Sequence, residues 1–126
     1  VNHRGCNEDI LILCKSLYTI NHYAKFKENK KELYKLKDKV IRKLIKEGKA
    51  TVIGLQYSRT KSKMRNHSVL LIEISGYYFH IYAINEEFNF FPHLGEMSKK
   101  QNNLSKVKYI TALKMLNLYL EEGYHQ

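Results

Sequence analysis

Sixteen residues in the middle of the chain, SVLLIEISGYYFHIYA (68–83), constrain the fold more than any other segment. Two runs rich in β-branched and aromatic residues flank Ser75-Gly76, and glycine supplies the positive φ that a tight hairpin turn demands. A two-residue turn fixes the register: Ile74 faces Tyr77, Glu73 faces Tyr78, Ile72 faces Phe79 and Leu71 faces His80. Side chains then alternate, so Leu70, Ile72, Ile74, Tyr77, Phe79 and Ile81 share the face predicted to meet helices. Val69, Leu71, Glu73, Tyr78, His80 and Tyr82 share the other, where Glu73 and His80 lie on a diagonal within reach of one another.

The flanking segments supply one more strand and three helices. TVIGLQYS (51–58) alternates Ile53, Leu55 and Tyr57 against Val52, Gly54 and Gln56, the pattern of a half-buried strand. Helical spacing of Ile10, Leu13, Cys14, Leu17 and Ala24 predicts a first helix over about 8–25. A second runs from Asn29 to Gly48. Asn29 followed by Glu32 is a capping-box arrangement, and Gly48 is a left-handed stop. Leu33, Leu36, Val40, Leu44 and Ile45 form its apolar face, while Lys31, Lys35, Lys39, Arg42, Lys43 and Lys46 crowd the remainder. Ser105 is placed to cap a last helix carrying Val107, Ile110, Leu113, Leu116 and Leu120, closed near Gly123. NEEFNFFPHLGEMSKKQNN (85–103) reads as an aromatic loop whose Phe88, Phe90 and Phe91 cover the core. The expectation is one α+β domain over 1–126, in the order ααβββα, with a mostly antiparallel three-stranded sheet and helices on one face.

Charge separates the function classes. The 126 residues carry a formal net charge of +10, with 27% charged and 44% hydrophobic residues, and a positive field of that size attracts polyanions. It is sorted along the chain. Residues 1–49 hold thirteen Lys and Arg against six Asp and Glu, 50–66 hold four against none, and 67–97 hold no Lys or Arg and four Glu. The segment SRTKSKMRNHS (58–68) places Arg59, Lys61, Lys63 and Arg65 on alternating positions between two apolar runs. A mean hydropathy of −0.48 with no long uncharged apolar run argues against a membrane span. The start lacks the order of a secretory signal, so a cytoplasmic location is expected. Cys6 and Cys14 are a poor disulfide framework, and Cys14 falls on an apolar stripe as a buried thiol. No HxxxH, HxH, CxxC or DxD spacing occurs, so neither a metal nor a cofactor is expected.

Five phrases, LYTINHYAK, LYKLKDKVIRKLIKEGK, IGLQYS, GYYFHI and FPHLGEM, taken in that order from Leu17 to Met97, resemble the YkyB-like family of small uncharacterised proteins of Gram-positive bacteria and their phages. The resemblance implies a shared fold and a bacterial or phage origin. It supplies no catalytic residue, and it does not extend to Arg59–Arg65.

The residues themselves favour a non-enzymatic basic protein that binds nucleic acid. Lys and Arg gain affinity for phosphates by releasing counterions, which needs no sequence motif. Arg59, Lys61, Lys63 and Arg65 would grip the backbone beside Lys39, Arg42, Lys43 and Lys46, and Tyr57, Tyr78 and Tyr82 would stack on unpaired bases. The alternative is a protein-interaction module, a phage or host inhibitor docking on an acidic partner. A third reading, a hydrolase or nuclease, would use Glu73 to orient His80 as a general base, with His93 on the FPHLG loop; the plainer account of both residues is packing and hydrogen bonding. His3, His22 and His125 are expected at the surface. Val69, Leu71, Tyr78 and Tyr82 are equally suited to a homodimer face.

Overall fold

The computed structural model describes residues 3–57, 68–82, 91–96 and 102–121. Its elements are α1 (His3–Ala24), α2 (Lys30–Lys46), β1 (Thr51–Tyr57), β2 (Ser68–Ile74), β3 (Tyr77–Tyr82), β4 (His93–Glu96) and α3 (Tyr109–Glu121). The hairpin takes the expected register, from Ile74–Tyr77 out to Val69–Tyr82. Ser75 and Gly76 both have positive φ, 51° and 88°, the turn whose twist matches that of the paired strands. Leu55, Leu70, Ile72, Ile74, Phe79 and Ile81 form one core cluster with Leu13, Leu17 and Ile20 of α1, Val40, Ile41 and Leu44 of α2, and Leu116 and Tyr119 of α3. The helices therefore lie on one face of the sheet, and burial of the opposed apolar faces holds the layers together.

The sheet has four strands rather than three, in the order β3-β2-β1-β4. The additional strand, His93–Glu96, runs parallel to β1. It lies in the segment expected to be loop, and a close approach makes room for it. The amide of Leu55 donates to the carbonyl of Pro92 at 2.8 Å. A Cβ on Gly54 would stand 2.6 Å from that same oxygen and 2.8 Å from Cγ of Leu94. Only glycine lets β4 lie this close.

β1 departs from strict alternation as well. Its pairing with β2 passes from Val52–Ile72 to Gly54–Leu71, leaving Ile53 as a bulge. One extra residue reverses the phase, so Val52 joins the face of Leu55 and Ile53 turns outward.

Three helix details also differ from expectation. Asn29 precedes α2 but makes no side-chain cap, because its backbone, at φ −89° and ψ 32°, lies outside the extended region from which a cap side chain reaches back. α3 starts at Tyr109 and not just after Ser105, and the Val107 amide takes its acceptor from α1, donating to Oγ1 of Thr19 at 3.0 Å. Its buried face is Ala112, Leu116 and Tyr119, leaving Ile110 exposed. The stripe of α2 is rotated to include Ile41 and one charged residue, Lys37. Gly48, at φ 76°, ends α2 as expected, and the amides of Lys49 and Ala50 return to the carbonyl of Leu44. Cys14 is buried under the hairpin, where its Sγ lies 3.7 Å from the carbonyl oxygen of Ile74. Burial, with a smaller contribution from the charge of Glu73, pushes this thiol up to about 12.

Candidate functional site

β3 is an edge strand, so the backbone groups of Tyr78, His80 and Tyr82 that turn away from β2 need partners from elsewhere. Side chains provide them. Asn102 brackets Tyr78, its Oδ1 accepting from the amide at 2.8 Å and its Nδ2 donating to the carbonyl at 2.6 Å. Lys37 donates to the carbonyl of His80 at 2.9 Å, and Arg42 to that of Tyr82 at 2.8 Å.

Lys37 does more than cover the edge. Its Nζ also donates to Oδ1 of Asn21 on α1 at 3.2 Å and lies 5.4 Å from the centre of the Tyr34 ring. The residue is only 8% exposed. Burial lowers its pKa, opposed by the neighbouring Asp38 carboxylate, and the same burial raises that of Asp38 against the pull of Lys37 and Arg42. His80 is held below its ordinary range, first by burial and then by the charge of Lys37.

Around this bridge open two adjoining clefts that share Asn21, Lys25, Lys37 and His80. The larger, about 680 Å³, continues along Lys30, Lys31, Tyr34, Asp38 and Tyr82. The smaller, about 320 Å³, is completed by Tyr18, His22, Tyr78, Phe79 and Asn102, and none of the described residues lining it is Asp or Glu. Tyr78 and Tyr82 are 37% and 44% exposed. Four lysines and a set of tyrosines thus meet along one strand edge, an arrangement suited to anions and to flat aromatic ligands.

Residues singled out in the sequence divide among several places. Tyr78, Tyr82 and His80 line the clefts. Arg42 and Lys43 are turned onto the protein itself, the latter donating to the carbonyl of Tyr119 at 2.5 Å with its Nζ 4.4 Å from that ring. Lys39 and Lys46 are exposed on α2. Glu73 and His80 have different partners: Oε2 of Glu73 accepts the Gly76 amide at 2.6 Å, whereas Nε2 of His80 lies 2.9 Å from Oε1 of Gln56. The diagonal pair is therefore not assembled. His93 is exposed on β4, opposite Leu55. Of the surface intended for a dimer, Val69 is buried and Leu71 half-buried. Arg59, Lys61, Lys63, Arg65, Phe88, Phe90 and the side chains of His3, Tyr57 and His125 lie outside the described residues.

Sequence reasoning missed Lys25, Lys30, Lys37, Asn21 and Asn102 as site residues. Lys37 alone carried a signal, since it occupies the interior of an apolar stripe four residues after Leu33 and four before Ile41. Among the described residues, no group of three or more His, Cys, Asp or Glu is placed to hold a metal ion, and no helix is long and apolar enough to cross a membrane.

Taken together, these features define a small basic α+β domain with a polar cleft along the edge of its sheet. Residues 9–123 match the family described as YkyB-like protein, and the chain belongs to that family. It is similar to uncharacterized protein YkyB of Bacillus subtilis strain 168, with 40% identity over 104 residues, which covers 78% of this chain and 68% of the relative. No solved structure matches it. The phrases LYTINHYAK, LYKLKDK and GYYFHI, which carried the resemblance in the sequence, are the ones that supply Asn21, Lys25, Lys37 and His80.

Proposed function

We propose that the protein is a non-enzymatic cytoplasmic module that binds single-stranded nucleic acid in the larger cleft. One observation carries the reading: Lys25, Lys30, Lys31 and Lys37 border the same cleft as Tyr34 and the exposed Tyr82. Cations tracking phosphates beside rings that stack on bases are the recurrent chemistry of single-strand recognition. Bases paired and stacked within a duplex do not offer their faces to Tyr82, so affinity for duplex rests on phosphate contacts alone.

Fluorescence polarisation with labelled single- and double-stranded DNA and RNA, repeated across a salt series, tests the reading. Three phosphate contacts, from Lys25, Lys30 and Lys31, give a log–log salt slope of about −2 for a single strand, and Tyr82→Ala weakens that binding. Absence of binding at the lowest salt removes the reading.

A protein-interaction module remains the second reading, favoured by a separate surface. Phe26 and Ile110 are 75% and 74% exposed, and the segments bearing them meet where Tyr23 packs edge-on against Tyr109. Binding through that surface would persist at high salt.

A further inference from the structure

We infer that the smaller cleft is a receptor for a terminal phosphate monoester, which makes the protein a reader of nucleic-acid strand ends. The assignment rests on the reading of the larger cleft as a strand groove for the source of its ligand, but its own support is separate. Asn21, Lys37 and His80 are shared by both clefts, and they are joined to one another, since Lys37 donates at once to Asn21 on α1 and to the His80 carbonyl on β3. These bonds span the space from helix to strand. They tie helix to strand at the junction of the two clefts, where a strand lying in the larger cleft presents its end to the smaller one.

Beyond this junction the lining changes character. Asp38 borders the larger cleft, whereas none of the described residues bordering the smaller one is a carboxylate. There Lys25 and Lys37 provide positive charge, and His22 and Tyr18 provide further donors. Lys25 borders both clefts, so it can hold the last group of a strand across the boundary. A terminal monoester carries close to two negative charges at neutral pH, about twice the charge of an internal diester, and so gains more from an enclosure without acids. The volume of about 320 Å³ is at the lower end for small-ligand clefts and sufficient for one phosphorylated end.

The test compares single-stranded oligonucleotides of one sequence bearing a 5′-phosphate, a 3′-phosphate or only hydroxyl ends, together with a mononucleotide and its nucleoside. One of the phosphorylated ends is expected to bind about tenfold more tightly than the hydroxyl-ended strand, the scale of one charge-assisted contact. His22→Ala and Tyr18→Phe are expected to shrink that ratio with hydroxyl-ended binding retained, while Tyr82→Ala weakens both strands and preserves the ratio. Equal affinity for phosphorylated and hydroxyl ends overturns the receptor and leaves the strand groove standing. Binding of the mononucleotide but not the nucleoside, with no affinity for any oligonucleotide, overturns both the groove and the reading of strand ends, leaving a site for free phosphate monoesters. No binding of any probe overturns both.

Discussion

The two edges of the sheet are finished in opposite ways. At β3, long polar side chains from the helical layer and from Asn102 reach the outward backbone groups, and the cost is a lysine taken almost wholly out of water. At the other edge, a four-residue parallel strand closes over a glycine, with His93 and Leu94 exposed. Both devices blunt an edge against pairing with another chain. The first leaves a recess lined by charge, because side chains that bridge a gap preserve it, whereas backbone that closes a gap fills it.

Removing the bridge should give the largest effect. Lys37→Ala deprives the Asn21 and His80 oxygens of their donor and loses the packed stem, so urea unfolding should show a loss of about 3 kcal/mol. Stability equal to the parent's would mean that the ammonium's desolvation cancels its bonds. Gly54→Ala follows, at about 2 kcal/mol, because the collision involves backbone oxygen as well as a side chain. Hydrogen exchange should then rise at Leu55, whose amide donates to Pro92, and stay unchanged in the β2–β3 hairpin. Comparable loosening of both edges would mean that the two are not finished independently. Asn102→Ala removes two bonds at an exposed position and should cost about 1 kcal/mol, read as a small decrease in the urea midpoint.

The smallest effect concerns pH. The folded pKa of His80 is lowered, so the unfolded chain binds the proton first as pH falls through the ordinary value of 6.5. Stability from this residue is complete above that value and declines below it. His80→Gln should flatten the dependence of Tm on pH between 7 and about 5 relative to the parent. An unchanged slope would show that His80 titrates alike in both states.

How much of this was legible depends on how local each determinant is. The hairpin was readable because Ser75-Gly76 and two alternating runs fix it within sixteen residues. The end of α2 was readable from Gly48. β4 was not, since a four-residue strand that follows Pro92 and contains Gly95 has no periodicity, and its parallel partner lies about forty residues away, beyond what local pattern reports. The bulge at Ile53 left no mark either, because TVIGLQY alternates acceptably in either phase. Within the site, Tyr78, His80 and Tyr82 followed from the hairpin register. Lys37 was marked only by its place in the apolar stripe, and among seven other lysines and arginines of α2 one desolvated cation looks like the solvated ones. Asn102 lies in irregular chain, and nothing in its neighbourhood announces that it completes a strand edge.

The burial of Cys14 has an experimental use. A thiol held near 12 and enclosed by the core supplies almost no nucleophilic thiolate at neutral pH, so alkylating reagents must wait for the layer between α1 and the hairpin to part. In a Cys6→Ser background, the labelling rate of this sulfur becomes a clock for native-state opening, set by the molecule's own core and needing no introduced probe.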